Sequence, residues 1–281
     1  MIEPKVTIGL PVYNGERTIE VAIQTLLKQS FHDFVLIISD NCSTDSTSEI
    51  CRNYAAIDKR IKYFRQQRNL GAEKNFQFLL QKSQSEYFMW ASADDIRSPD
   101  FIELNLTFLE ANLEYVSSTC PTRFEDSDFD EVRMGDSSLD GAPEDRFLAF
   151  FSTWHANGRF CGLFRRVVLL ENYRIERPFL GCDWTVILRC CMAGKMHRCD
   201  SGWIEFGAHG ISRKNNIFKV YRNHWGEHFA PFAKLTIEVY KMTRHFSLKT
   251  RLRLARILIN FNIAAIIAKN TLSRTSKLSP P

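Results

Sequence analysis

Several familiar chemistries have no foothold in this sequence. It contains no GxxxxGK[ST] phosphate loop, no GxGxxG dinucleotide turn and no G-x-S-x-G nucleophile elbow, which excludes the common kinase, dehydrogenase and esterase constructions. Its eight cysteines show no CxxC pairing of the zinc type, and Cys190 and Cys191 are adjacent, so reduced thiols in a cytoplasmic protein are expected. Met1-Ile2-Glu3-Pro4-Lys5 leads straight into a strand-like run, and no signal peptide is read there. No apolar run approaches the ~20 residues of a spanning helix. The longest, from Ile257 to Ala268, has 12 residues and is interrupted by Asn260 and Asn262.

Acidic residues are missing from one region only. Residues 241–281 hold nine Lys and Arg and no Asp or Glu, whereas the preceding 240 carry 28 basic and 32 acidic groups. The net charge of +5 is therefore a body at −4 joined to a tail at +9. No nucleic-acid partner is expected of such a body. With 44% hydrophobic residues, including 22 Phe, the chain has ample material for a core.

Over the first hundred residues strand and helix signals alternate. Val6–Leu10, Phe34–Ile38, Ile61–Phe64 and Tyr87–Trp90 are continuously apolar or nearly so, and read as buried strands. Ile19, Ala22, Ile23, Leu26 and Leu27 mark one helix face. Ser43 or Asp45 is placed to cap a second helix through Tyr54, and Gly71 precedes a third carrying Phe76, Leu79 and Leu80. Such repeats predict an α/β fold with a mixed, mostly parallel sheet covered on both faces. A helix is expected from about Asp100 to Leu113, an exposed acidic loop over 125–145, a strand over Arg159–Arg166, and a helix opening at Asp183-Trp184.

In parallel sheets ligands bind at the carboxyl ends of the strands. The polar groups Tyr13-Asn14, Asp40-Asn41, Asn69 and Asp94-Asp95 each follow one of the four strands. Adjacent carboxylates at a strand end suit a hard divalent cation shared with substrate phosphates, although a lone Asp-Asp is as readily a solvated turn. It is the convergence of four strand ends that favours a site.

Those residues also carry a resemblance. Val6–Gly15, Asp40-Asn41-Cys42-Ser43-Thr44-Asp45, Asn69-Leu70-Gly71 with Asn75, and Ala93-Asp94-Asp95-Ile96-Arg97-Ser98-Pro99 resemble, in order and spacing, the motifs of family-2 glycosyltransferases with the GT-A fold. The likeness is dense over residues 5–115 and looser to about 215. It implies inverting transfer of a sugar from a nucleotide diphosphate donor, with UDP-sugars favoured. The acceptor would be a saccharide or lipid-linked saccharide in bacterial-type polysaccharide or glycolipid assembly. By the resemblance, the donor nucleotide meets Pro11, Val12, Tyr13, Asn14, Asp40, Asn41, Asn69, Gly71, Lys74, Asn75 and Ala93. Asp94 and Asp95 would hold Mg²⁺ or Mn²⁺, with Ser92 standing where the usual pattern has its first Asp. Asp183 matches the catalytic base, and an Asp at that position also caps a helix. Trp154, His155, Arg159, Gly162, Trp184 and His209 are the candidates for contact with donor or acceptor sugar; in a Phe-rich chain such rings are also core material.

The resemblance divides the chain into a nucleotide-sugar-binding stretch (1–99), an acceptor-binding stretch of the same domain (100–215) and a basic helical tail (216–281). Residues 241–268 run from basic to apolar, which suits either an anionic membrane surface, making the protein peripheral on the inner face of a membrane, or packing against protein. Two rival functions stay open: a catalytically weak or inactive sugar-nucleotide-binding scaffold, favoured by Ser92, and a nucleotidyltransferase, disfavoured by the lack of a Gly-rich basic loop after the first strand.

Overall fold

The structure is a computed structural model describing residues 3–207, 221 and 230–275. Strands β1 (Val6–Val12), β2 (Phe34–Asp40), β3 (Ile61–Arg65) and β4 (Tyr87–Trp90) lie parallel in the order β3-β2-β1-β4. Helices α1 (Ile19–Leu27), α2 (Thr47–Ile57) and α3 (Ala72–Lys82) connect them. The sheet continues past β4 through β8 (Leu163–Arg165), β6 (Tyr115–Thr119) and β9 (Lys195–Arg198), with β8 antiparallel to both neighbours. The expected mixed, mostly parallel sheet is therefore present, and residues before and after position 99 share it. A second sheet, β5 (Ile96–Arg97), β10 (Ile204–Phe206) and β7 (Thr122–Phe124), stands beside it.

Both faces of the central strands are buried, which explains their continuous apolar runs. Leu36 and Ile38 of β2 point into one core with Ile8, Leu10, Ile23 and Leu106, whereas Val35 and Ile37 point into the other with Phe88, Phe164 and Ile187. Helix α3 lies so close over β1 that a side-chain carbon on Gly9 would sit 2.8 Å from Phe88 and 3.1 Å from Leu79. Helices α4 (Phe101–Ala111), α6 (Pro143–Phe150), α7 (Arg166–Asn172), α8 (Cys182–Ala193), α9 (Ala233–Met242) and α10 (Leu248–Thr275) complete the layers.

Four local expectations change. Strands β1 and β2 run two residues beyond their apolar stretches, pairing Pro11 with Ser39 and Val12 with Asp40. Asp40 thus ends a strand instead of beginning a turn. Helix α2 starts at Thr47, and Asp45 serves its start from outside: Oδ1 accepts the Thr47 amide (3.1 Å) and hydroxyl (2.6 Å). The acidic stretch 125–145 is no simple exposed loop. It contains the short helix α5 (Glu131–Met134), capped by Asp130, and buries Met134, Asp136 and Leu139. Asp136 is drawn inside because its Oδ2 accepts from the Thr122 amide (2.6 Å) and hydroxyl (2.9 Å), while Oδ1 faces Arg198 at 3.3 Å. Likewise Gly158–Cys161 forms a 3₁₀ turn, leaving only Leu163–Arg165 as strand.

The buried amide of Asn75 donates to the Ser39 carbonyl (2.8 Å) and accepts from the Ser39 hydroxyl (2.6 Å), fixing α3 to β2. Losing both contacts strands polar groups in the interior, a penalty of about 1–3 kcal/mol per group. Asn75→Ala is expected to lower unfolding free energy by about 3 kcal/mol in urea titrations, with the fold retained.

Candidate active site

The order β3-β2-β1-β4 means that the chain winds outward from β1 and then returns to its other side. The crevice between the carboxyl ends of β1 and β4 is the place where such sheets bind ligands. Tyr13-Asn14 and Ser92–Asp95 lie at that crevice.

One flank is a lattice of loop-to-loop hydrogen bonds. Asn14 takes a left-handed backbone conformation (φ 51°); its amide donates to Ser43 Oγ (2.9 Å) and its Oδ1 accepts the Thr44 amide (2.9 Å). Asp40 is wholly buried: Oδ1 accepts the Ser43 amide (2.8 Å) and Oδ2 the Tyr63 hydroxyl (2.7 Å). Asn41 accepts the Leu70 amide (2.8 Å) and donates to Asn69 Oδ1 (3.0 Å) and the Gly71 carbonyl (3.2 Å). The structure therefore brings the sequence-predicted residues together but divides their work. Asp40, Asn41 and Asn75 are internal struts that hold the loops, Pro11 and Ala93 are half-buried, Val12 is core, and Tyr13, Asn14, Asn69, Gly71 and Lys74 are exposed.

The two adjacent aspartates separate in the same way. Asp94 is half-buried and lines a cavity of about 240 Å³ with Arg17, Thr18, Glu125, Glu205 and Gly207. Gly207 presses so close that a side-chain carbon there would sit 2.6 Å from Asp94 Cβ, so glycine is required at this contact. Asp95 is turned inside. Burial pushes its carboxyl up to about 6 against the pull of Arg97, whose nitrogen lies 3.9 Å away, and the Ser92 hydroxyl also bonds to it. Its Oδ1 accepts the Gly207 amide at 3.4 Å, while Oδ2 is buried without a hydrogen bond. Ser92, standing where the family pattern has its first Asp, helps lower the Asp95 carboxyl against the effect of burial.

The other flank is the start of α8. Gly181 (φ 83°) turns the chain, and Asp183 follows in the first helical turn, where the helix dipole favours negative charge. Burial raises its carboxyl above the ordinary range, opposed by the Asn157 amide, which donates to Oδ2 at 2.7 Å. Asn157 is itself held in a left-handed conformation (φ 62°) by His155, whose Nδ1 accepts the Asn157 amide (3.1 Å). The other His155 nitrogen therefore carries the proton and donates to the Phe150 carbonyl (3.0 Å). Burial, helped by Arg159, depresses His155 to about 3, so the ring is neutral in use.

This arrangement reassigns several expected sugar contacts. His155 and Trp184 are buried and stacked on each other (4.6 Å), so they serve as core. Arg159 is buried and spends its guanidinium on the Gly135 carbonyl (2.7 Å), the Ser137 carbonyl (2.7 Å) and the Ser137 hydroxyl (2.8 Å). A side chain on Gly162 would strike the Ser118 carbonyl, so that glycine is a packing requirement. Trp154 alone keeps an exposed ring. His209 lies outside the described residues.

The two carboxyl centres meet electrostatically at Cys161, a half-buried residue whose thiol is pushed up to about 12 by desolvation and further by Asp95, Asp183 and Asp94. Glu73, in the first turn of α3, is raised by burial and further by Asp183, while Tyr221 hydrogen-bonds to it. Sequence reasoning missed Asn157, Glu73, Glu205 and Gly207. Only Asn157-Gly158 left a signal, a turn dipeptide, and nothing local tied it to Asp183.

Comparison with known proteins bears on this geometry. A Haemophilus influenzae protein described as an uncharacterized glycosyltransferase is 35% identical over 109 residues, covering 39% of this chain and 44% of the relative. The Campylobacter jejuni GalNAc(5)-diNAcBac-PP-undecaprenol beta-1,3-glucosyltransferase is 27% identical over 186 residues, 65% of this chain and 58% of the relative. The chain thus aligns with about half the length of these relatives. Among solved structures, Staphylococcus aureus TarS 1–349 in complex with UDP-GlcNAc superposes with a TM-score of 0.66 at 14% identity, covering 92% of this chain and 71% of that one. It shares the GT-A fold expected from the motifs. Residues 7–171 match the family described as Glycosyl transferase family 2, and the chain belongs to that family.

Proposed function

We propose that the protein is an inverting glycosyltransferase that moves a sugar from a nucleotide diphosphate donor, a UDP-sugar by preference, to an acceptor hydroxyl in polysaccharide or glycolipid assembly. One observation carries the reading: a half-buried Asp94 at the β1/β4 crevice and a half-buried Asp183, held by the Asn157 amide at the start of α8, both lie within electrostatic reach of the Cys161 thiol between them. Tyr13, Asn14, Asn69 and Lys74 are the exposed groups of the nucleotide flank. The struts Asp40, Asn41 and Asn75 fix their placement.

In this mechanism the acceptor oxygen attacks the anomeric carbon as the bond to the nucleotide diphosphate breaks. Asp183 takes the acceptor proton, a general-base contribution of typically 10²–10⁴-fold. Burial raises its pKa, which strengthens it as a base. Asn157 holds the carboxylate in position. A divalent cation, Mg²⁺ or Mn²⁺, fits Asp94, because such an ion takes one or two protein carboxylates beside substrate phosphates; Asp95 is turned inward toward Arg97. When bound, the cation would supply charge stabilisation for the departing diphosphate. Among the described residues no group of three or more metal-ligating side chains occurs. The undecaprenol-linked substrate named for the Campylobacter relative supports a lipid-linked saccharide as acceptor class. The poised Asp183 argues against an inactive scaffold.

A thermal-shift screen of nucleotide sugars with Mn²⁺ is expected to single out one donor by a rise of several degrees; no response to any donor would refute the reading. Asp183→Asn should reduce turnover by about 10²–10⁴-fold with donor affinity unchanged. In Asn157→Gly, which retains the left-handed backbone, loss of the amide raises the pKa of Asp183. The acid limb of kcat/KM should accordingly move to higher pH, measured from pH 4 to 8. Asp94→Ala should abolish the difference in donor affinity with and without Mn²⁺ seen by calorimetry, and an unchanged difference would remove Asp94 from that role.

A further inference from the structure

We infer that the outward face of α10 is a docking surface for an anionic lipid bilayer. This goes beyond the transfer reading and does not depend on it.

Helix α10 has two apolar faces where a surface helix needs one. The inner face buries Leu254, Leu258 and Ala265 against the body, and Phe261 meets Phe151, Trp154 and Trp184 with ring centroids 6.0–6.1 Å apart. Asn262 accepts the Phe232 amide at 2.9 Å, fixing the helix rotation. On the opposite side Leu248, Leu252, Ile259 and Ile263 remain 51–69% exposed. Their spacings of four, seven and four residues bring them onto one stripe, with the small, exposed Ala255 between them. A single exposed aliphatic is ordinary, but four aligned along one helix form a patch.

Charge identifies what covers the patch. Lys249, Arg253 and Arg256 are exposed along one edge of the stripe, and no Asp or Glu occurs anywhere in residues 241–281. A protein partner or a second copy would ordinarily be met by charges of both signs; on α10 itself every charged side chain is cationic, which complements an anionic headgroup layer. No described helix is long and apolar enough to cross a membrane, so the arrangement is that of a helix lying in the interface plane, aliphatic side chains among the acyl chains and basic groups at the phosphates. The inner face fixes the consequence. Phe261 packs on Trp184, the residue after Asp183, so a docked α10 holds the wall beside the proposed base close to the bilayer.

The test is sedimentation of the full chain with vesicles of phosphatidylcholine alone and of phosphatidylcholine with phosphatidylglycerol, without any substrate. The protein should pellet with the anionic vesicles, remain with the supernatant beside the neutral ones, and be released by high salt. Leu252→Glu/Ile259→Glu/Ile263→Glu should lose pelleting while retaining the circular dichroism spectrum and melting temperature. Lys249→Gln/Arg253→Gln/Arg256→Gln, which leaves the packing untouched, should reduce the pelleted fraction by about fivefold or more and keeps the test decisive if the first variant misfolds. Wild-type protein that ignores anionic vesicles, binds neutral ones equally, or binds as well with the charges removed overturns the inference. So does a dimer in light scattering that the triple glutamate variant converts to monomer without any lipid binding.

Discussion

The structure depends on one constraint: parallel strands buried on both faces must end somewhere, and where they end their backbone groups lose the ladder. At β1, β2 and β3 the endings are closed by side-chain amides and carboxylates. Asp40, Asn41, Asn69 and Asn75 each bind backbone or side chains of the strand ends and the segments that follow them, and Tyr63 and Ser43 complete the lattice. Groups that resemble a ligand cradle are largely occupied with one another. On that rigid floor a few exposed residues, Tyr13, Asn14 and Lys74 among them, would meet the proposed donor in fixed positions. Preorganisation of this kind lowers the ordering cost of binding.

Beyond the floor, electrostatics divide the labour between carboxylates of identical chemistry. Asp94 is half-exposed beside Gly207; Asp95, one residue on, is inside with Arg97 and the Ser92 hydroxyl. Asp183 is half-buried and tethered by the Asn157 amide, so its pKa is raised without the carboxylate being left unpartnered. His155 extends that tether to the Phe150 carbonyl, and because it is neutral it adds no competing charge. Packing therefore reaches Asp183 along a chain of hydrogen bonds, and the same packing continues through Trp184 and Phe261 to α10. The basic tail belongs to the wall of the site.

Much of the fold was legible because periodicity reports burial directly. Apolar runs of four or five residues separated by amphipathic helices announce a sheet covered on both sides, and β1 to β4 fall where those runs stand. The extra two residues of β1 and β2 were not legible, since Ser39 and Asp40 look like turn residues until Asn75 and Tyr63 are known to cover them. The 125–145 stretch misled for a similar reason. Asp136 is acidic in sequence, but Thr122 and Arg198, far along the chain, supply the partners that draw it inside.

The sequence by itself determined the α/β class, the positions of the first four strands, the polar residues at their ends and the concentration of positive charge beyond residue 240. These are local properties, set by spacing and residue type. Only the tertiary structure decided which of those polar residues face solvent and which are struts, that Asp95 turns inward while Asp94 does not, and that Asn157 rather than His155 reaches Asp183. It also decided which face of the basic helix is left uncovered. Each of these turns on which distant side chain comes within hydrogen-bonding or packing range, and that information is distributed over the whole fold.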